Sequence, residues 1–171
     1  MTPFVFLGGN MKFYHIKDDF ISFLRQFDSK VSENKNQSRP YVGIVLEVES
    51  IKYYAPFSSP KPKHKKMKNS KDFRKINNGI YGAINFNNMI PVLDKALIEI
   101  DIAHIPDVKY RRLLQNQYNS IKADEKGILR TAENLRKLIF DNEENLSPHD
   151  KIIKQRCCNL KLLEEKYLDW K

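Results

Sequence analysis

The chain has 171 residues, 41% hydrophobic and 30% charged, with a formal charge of +9 and a pI near 9.4. This composition excludes a disordered tail and a disulfide-dependent miniprotein, and no apolar run is long enough to span a membrane. The positive field favours an anionic partner, nucleic acid ahead of an anionic membrane surface.

Residues 3–7 are apolar but lack the basic flank, length and cleavage site of a signal peptide. Lys12 to Ile16 reads as a short strand. Asp18 and Asp19 then offer cap-type residues before Phe20, Phe23, Leu24, Phe27 and Val31, whose spacing predicts an amphipathic helix. Ser32 to Arg39 is polar and predicts a loop. Val42 to Val48 is an almost unbroken β-branched run, read as a central strand. Glu49 and Ser50 make a tight connection to a returning strand, Ile51 to Pro56, so a hairpin delivers the chain to Ser58-Ser59-Pro60-Lys61.

From Ser58 to Lys75 the prolines and lysines predict an exposed, mobile segment without regular structure before about Asp72. Ile80 to Phe86 and Met89 to Val92 predict a strand pair around Asn87 and Asn88, and Leu97 to Ala103 another strand. After Asp107 the period becomes helical. Tyr110, Leu113, Leu114, Tyr118 and Ile121 mark one helix; Ile128, Ala132, Leu135 and Ile139 mark the next. Ser147 and Pro148 announce a third, with Ile153, Cys157, Leu160 and Leu163 as its stripe. No repeat or flexible linker interrupts the chain. The expected fold is a single α+β domain over residues 1–171, a largely antiparallel sheet with about four helices.

The charge is local. Between Lys61 and Lys75 lie seven Lys and one Arg against one Asp, a net +7 of the total +9. Lys61, Lys63, Lys65, Lys66, Lys68 and Lys71, with His64 and Arg39, are therefore the candidate RNA contacts. The adjoining turn carries hydroxyls and backbone N–H groups beside that charge, which suits a phosphodiester. In metal-free RNA cleavage the substrate's own 2′-hydroxyl attacks phosphorus, so the protein must orient that oxygen, stabilise developing charge and handle protons. Ser59 is the first candidate for positioning, with Ser58 beside it, because an unperturbed hydroxyl is a poor base. Lys61 is the candidate for charge stabilisation. His64 can exchange protons near neutral pH, although its lysine neighbours equally suit a solvated loop residue. A Ser-Ser-Pro-Lys turn is also simply a turn, and a lysine run simply a solvated face.

Rival chemistries have thinner support. His15, His64, His104 and His149 are dispersed, without a His or Cys pair at metal-ligand spacing, so neither metal nor cofactor is expected. The neighbouring Cys157 and Cys158 are poorly placed for a disulfide and point to a reducing cytoplasm; on a helix they read as packing groups. Gly8-Gly9 lacks the rest of a nucleotide-binding loop.

From about Met11 onward the sequence resembles the ToxN/AbiQ family of type III toxin–antitoxin endoribonucleases, its phage abortive-infection members in particular. Five ordered blocks carry the likeness: Lys12-Phe13-Tyr14-x-Ile16, Gly43-Ile44-Val45-Leu46-Glu47, Lys52-Tyr53-x-Ala55-Pro56-x-Ser58-Ser59-Pro60-Lys61, Ile84-Asn85-Phe86-x-x-Met89-Ile90-Pro91 and Leu162-Leu163-Glu164-Glu165-Lys166-Tyr167. The resemblance implies a strongly twisted antiparallel sheet flanked by helices, similar to the MazF/Kid toxin fold. It implies metal-independent, sequence-selective cleavage of cellular or phage RNA to 2′,3′-cyclic phosphate and 5′-hydroxyl ends. It also implies inhibition by a small repeated RNA antitoxin, which the enzyme cuts into units and holds in a closed protein–RNA assembly. The family's key hydroxyl falls on Ser59, with Ser58 and Lys61 as motif neighbours. The loop from Ser32 to Tyr41 departs from the family by looking shorter and lacking a matching tyrosine, so only its basic position carries over, to Arg39. Residues 1–10 fall outside the likeness and are a candidate N-terminal extension. The alternative function is a non-catalytic, basic RNA-binding module; a peripheral protein of anionic membranes has only the charge in its favour.

Overall fold

The computed structural model describes residues 11–171; the candidate extension and Gly8-Gly9 lie outside the described residues. Strand β1 (Lys12–Ile16) leads into helix α1 (Asp18–Arg25). Asp18 and Asp19 sit in the first turn of that helix rather than at its cap. There they favour the positive helix end, and the Asp18 carboxylate accepts from Asn34 Nδ2 at 2.6 Å and Gln37 N–H at 3.0 Å, pinning the following loop. The helix stops at Arg25, short of the expected Val31. Buried Asp28 turns the chain by accepting from Lys30 N–H and, across the molecule, from Asn159 N–H.

Strands β2 (Tyr41–Val48) and β3 (Ile51–Ser58) form the expected hairpin. Glu49 and Ser50 both adopt positive φ, the geometry that joins two twisted strands in two residues. Gly43 is obligatory here, since a Cβ would lie 2.0 Å from the Tyr54 ring. The register shifts between Gly43 and Leu46, a bulge that bends the hairpin.

Four shorter strands complete the sheet: β4 (Phe73–Lys75), β5 (Ala83–Asn85), β6 (Ile90–Pro91) and β7 (Leu97–Glu99). Among the described residues all pairings are antiparallel, in the order β4-β5-β3-β2-β1-β7, with β6 also on β3. The expected pairing between the fifth and sixth strands is not formed. Instead β5 joins the Ser58 end of β3, and β6 joins Tyr53 and Tyr54. With five consecutive buried residues, Tyr53 to Phe57, β3 is the template that both edges satisfy. Strand β7 is also shorter than expected, because Ile102 to His104 close into a single 3-10 turn.

Helices α3 (Val108–Ala123) and α4 (Glu125–Phe140) match their apolar stripes, and Asp107 caps the first of them. Ser147 caps α5 (Pro148–Arg156), accepting from Asp150 N–H, as the Ser-Pro signal predicts. The stripe from Ile153 to Leu163 is, however, divided between α5 and α6 (Leu160–Lys166). The Cys158 N–H donates to Asn87 O at 2.9 Å instead of to a helical carbonyl, and Asn159 caps the new helix. Both thiols therefore lie in a buried break between helices. Helix α4 lies on β2 and α6 on β6, burying a continuous core that includes Tyr53, Tyr54 and Phe57. No helix among the described residues is long and apolar enough to cross a membrane.

Candidate active site

The Ser58 end of β3 is fixed from three directions before the chain leaves the sheet. Ser58 pairs with Ala83 in β5. Gly82, at φ +99°, lies so close beneath it that an added Cβ would be 1.9 Å from the Ser58 carbonyl oxygen. Buried Gln117, from α3, donates through Nε2 to Tyr81 O at 2.8 Å and Ser58 O at 3.4 Å. Only glycine fits this approach at this φ. The turn is therefore held by its backbone, which leaves Ser58 half-buried and Ser59 exposed.

The next residues do not form the irregular segment expected from their prolines. Pro62 occupies the first turn of a short helix, α2 (Pro62–Lys66), where its missing N–H costs nothing. His64 is 2% exposed, and its Nδ1 accepts from Lys61 N–H at 3.1 Å while its own N–H donates to Lys61 O at 2.9 Å. That reciprocal cap closes the helix start. It also fixes a tautomer: an accepting Nδ1 leaves the proton on Nε2. Burial, then Lys61 and Lys63, hold the imidazole below its ordinary range, so His64 is neutral at pH 7. By sequence His64 suits a proton-exchanging group and a solvated loop residue equally; in the structure it is a buried structural cap whose Nε2–H is its remaining donor.

Ser58, Lys61, Lys63 and His64 line a shallow groove of about 250 Å³, facing Asp72, Asn85, Asn87 and Arg156, with Met67 and Phe73 along it. Lys61 and Lys63 are exposed, as are Lys65, Lys66 and Lys68 around the end of α2. Two cations of the basic run are engaged elsewhere. Lys71 pairs with Asp150 at 2.7 Å in a separate cleft of about 670 Å³ that shares only Ser70 with the groove. Arg74 makes a two-pronged contact with Asp124 at 2.5 and 2.7 Å. Arg39 lies apart from the groove lining, its Nε donating to Glu33 O. Continuing the Tyr41–Pro56 register nevertheless puts it at the Ser58 end of the sheet.

Gly82, Gln117, Asp72 and Arg156 escaped the sequence reading. Asp72 offered one signal, as the single acid in the basic run. Gln117 offered none, since a buried glutamine on a helix stripe resembles any polar position.

The α+β fold thus carries a serine turn held by its backbone, opening on a groove richer in cations than anions, a surface chemically suited to a phosphodiester. Residues 12–168 match the family described as toxin ToxN of type III toxin–antitoxin systems. The chain is 35% identical to the endoribonuclease ToxN of Pectobacterium atrosepticum over 94% of each chain. It is 30% identical to the endoribonuclease AbiQ of Lactococcus lactis, over 91% of this chain and 87% of that one. A solved bacterial type III toxin–antitoxin structure, in which a non-coding RNA pseudoknot selectively inhibits the toxin, superposes with a TM-score of 0.82. It is 33% identical and covers 94% of this chain and 98% of its own. The chain belongs to the ToxN/AbiQ family of type III toxin–antitoxin endoribonucleases.

Proposed function

We propose that the whole chain is one endoribonuclease domain cutting RNA at the Ser58–Lys61 turn, with Ser59 as the orienting hydroxyl. The observation that carries this is the exposed Ser59 on a rigidly clamped turn, beside a groove lined by Lys61 and Lys63. The bond formed joins the 2′-oxygen to the adjacent phosphorus, and the bond broken joins phosphorus to the 5′-oxygen. The 2′-proton leaves, the 5′-oxygen takes up a proton, and 2′,3′-cyclic phosphate and 5′-hydroxyl ends result with no electrons exchanged. Ser59 and Ser58 hydrogen-bond the 2′-hydroxyl or the phosphate, while Lys61 neutralises the charge that grows on the phosphorane. Lys63, Lys65, Lys66, Lys68 and Arg39 hold the flanking backbone. His64 keeps Lys61 in place through the cap. Lys71 reaches RNA only by leaving Asp150.

Similarity to an RNA-inhibited toxin supports a small repeated RNA antitoxin as partner, processed by the enzyme and held in a closed assembly. The target RNA would be cellular or phage RNA. Two reduced, buried thiols accord with a cytoplasmic enzyme. Purified protein should cleave RNA in EDTA, and Ser59→Ala should abolish products on a denaturing gel while retaining fold and RNA binding. Undiminished cleavage by that variant removes Ser59 from the mechanism; wild-type binding without any product would mark a non-catalytic RNA-binding module.

A further inference from the structure

The groove that Lys61 and Lys63 line carries a third cation, from a distant part of the chain. Arg156, the last residue of α5, donates through Nε to Asp72 Oδ2 at 2.5 Å and through Nη2 to Asp72 Oδ1 at 2.6 Å. The two side chains differ sharply in exposure, 4% for Asp72 and 47% for Arg156. Ser70 Oγ also donates to the Asp72 carboxylate, at 2.9 Å, so the acid is anchored from two sides. A two-pronged contact fixes the plane of a guanidinium and uses only two of its five N–H groups. Three N–H groups remain on a half-open fork that lines the same groove as Ser58 and Lys61.

We infer that Arg156, aimed by Asp72, binds a backbone phosphate of the RNA, next to the phosphate that is cleaved. This rests on reading the Ser58–Lys61 turn as the place where RNA lies. Three considerations carry it. The groove's cations, Lys61, Lys63 and Arg156, outnumber its one carboxylate, so a net positive charge remains after Asp72 is paired. A guanidinium held in plane offers parallel donors to two phosphate oxygens, whereas the flexible lysines of the same groove act as point charges. Asp72 is buried while 47% of the Arg156 side chain stays exposed, so the guanidinium remains accessible to a ligand entering the groove that it lines. Asp72 is then a positioning residue: it sets the direction of the fork without touching RNA.

The test is the double variant Asp72→Asn/Arg156→Gln, which removes one acid and one base and leaves the net charge of +9 unchanged. Its overall field is therefore that of the wild type, and a changed salt dependence reports the lost contact. The probe is a fluorescent, fully 2′-O-methylated single strand of about 20 nucleotides and mixed sequence, which cannot be cut, titrated from about 50 to about 200 mM KCl. The slope of log K against log salt should become shallower by about 0.7, the share of one phosphate contact. Kd at low salt should rise on the order of tenfold. A wild-type slope in a folded double variant overturns the assignment. If that variant does not fold, Arg156→Lys serves, because one ammonium cannot hold both the buried carboxylate and a phosphate in the fork geometry. It should bind severalfold more weakly, and wild-type binding would equally overturn the assignment. Ser59→Ala separates the two levels, since it tests cleavage at the turn and should keep the full slope.

Discussion

Replacing Gly82 by alanine tests whether the backbone beneath the serine turn sets the chemistry. The new Cβ would lie 1.9 Å from Ser58 O and 3.0 Å from Ser59 C, at a φ of +99° that side chains rarely adopt. Reaching even the 3.0 Å floor of real Cβ contacts demands a retreat of about 1.1 Å. Local strain should cost roughly 1–3 kcal/mol, or about 3–10 °C in Tm for a chain of this size. The effect on turnover should be larger. A displacement of about 1 Å at a reacting centre is worth on the order of 100-fold in rate, and it also pulls Ser58 O from Gln117 Nε2. Lys61 and Lys63 remain to bind RNA, so kcat should fall on the order of 100-fold with KM nearly constant. Gly127→Ala is the control, since the nearest atoms to its Cβ would be the Arg74 guanidinium 2.2 Å away and the Asp124 carboxylate, so it disturbs that pair rather than the backbone of the turn. It should change Tm but not kcat. Wild-type kcat in folded Gly82→Ala would refute the clamped-turn account, as would equal kcat losses in the two variants.

Within the basic run, Lys61→Ala should lower kcat/KM by about 100-fold or more, the usual loss when a transition-state charge donor is removed. Lys71→Ala should change it less than about twofold, because Lys71 is engaged with Asp150 in a separate cleft; parallel cleavage assays rank the two. His64 sets a pH trend. Its lowered value means that the folded chain binds fewer protons there than the unfolded chain, so stability falls as pH drops below about 6.5, by at most ~1.4 kcal/mol per unit. Urea melts between about pH 7 and about pH 5 should show a shallower loss in His64→Asn, and parallel slopes would contradict the buried neutral imidazole. Burial pushes the Cys157 thiol up to about 12 and Cys158 higher still. Both should resist alkylation in native protein at about pH 8 and react once denatured; rapid native labelling would contradict the buried break.

Periodicity revealed the elements whose shape is set locally. The Val42–Val48 run, the Glu49-Ser50 turn, the stripes of α3 and α4 and the Ser147-Pro148 start all appear where the residues place them. It failed where a distant partner decides. Nothing near Asp28 announces that its carboxylate will reach Asn159, and nothing near Cys158 announces that its N–H will leave the helix for Asn87 O. The α2 segment misled for a different reason: a proline that breaks a helix interior begins a helix well, and His64 supplies the cap that a lysine at that position lacks. The serine turn was legible as a motif. Its supports were not, because Gly82, Gln117 and Arg156 are separated from it by about 23 to 97 residues and meet only through the sheet and helices.

That distribution of partners bears on how a chain of +9 concentrates its charge usefully. The run from Lys61 to Lys75 carries nearly all the excess, yet the fold withdraws part of it: Lys71 goes to Asp150 and Arg74 to Asp124. These pairs tie the run to α5 and to the junction of α3 and α4, giving anchorage rather than attraction. What stays exposed is the cluster on and after α2, directly downstream of Ser59. The uncompensated charge thereby lies on one side of the turn, where, on the proposed function, it would draw a polyanion toward the hydroxyls instead of binding it anywhere along the segment. Moving the same lysines elsewhere would preserve the pI and lose that direction. The arrangement thus makes charge placement, rather than total charge, the property that joins the basic run to the serine turn.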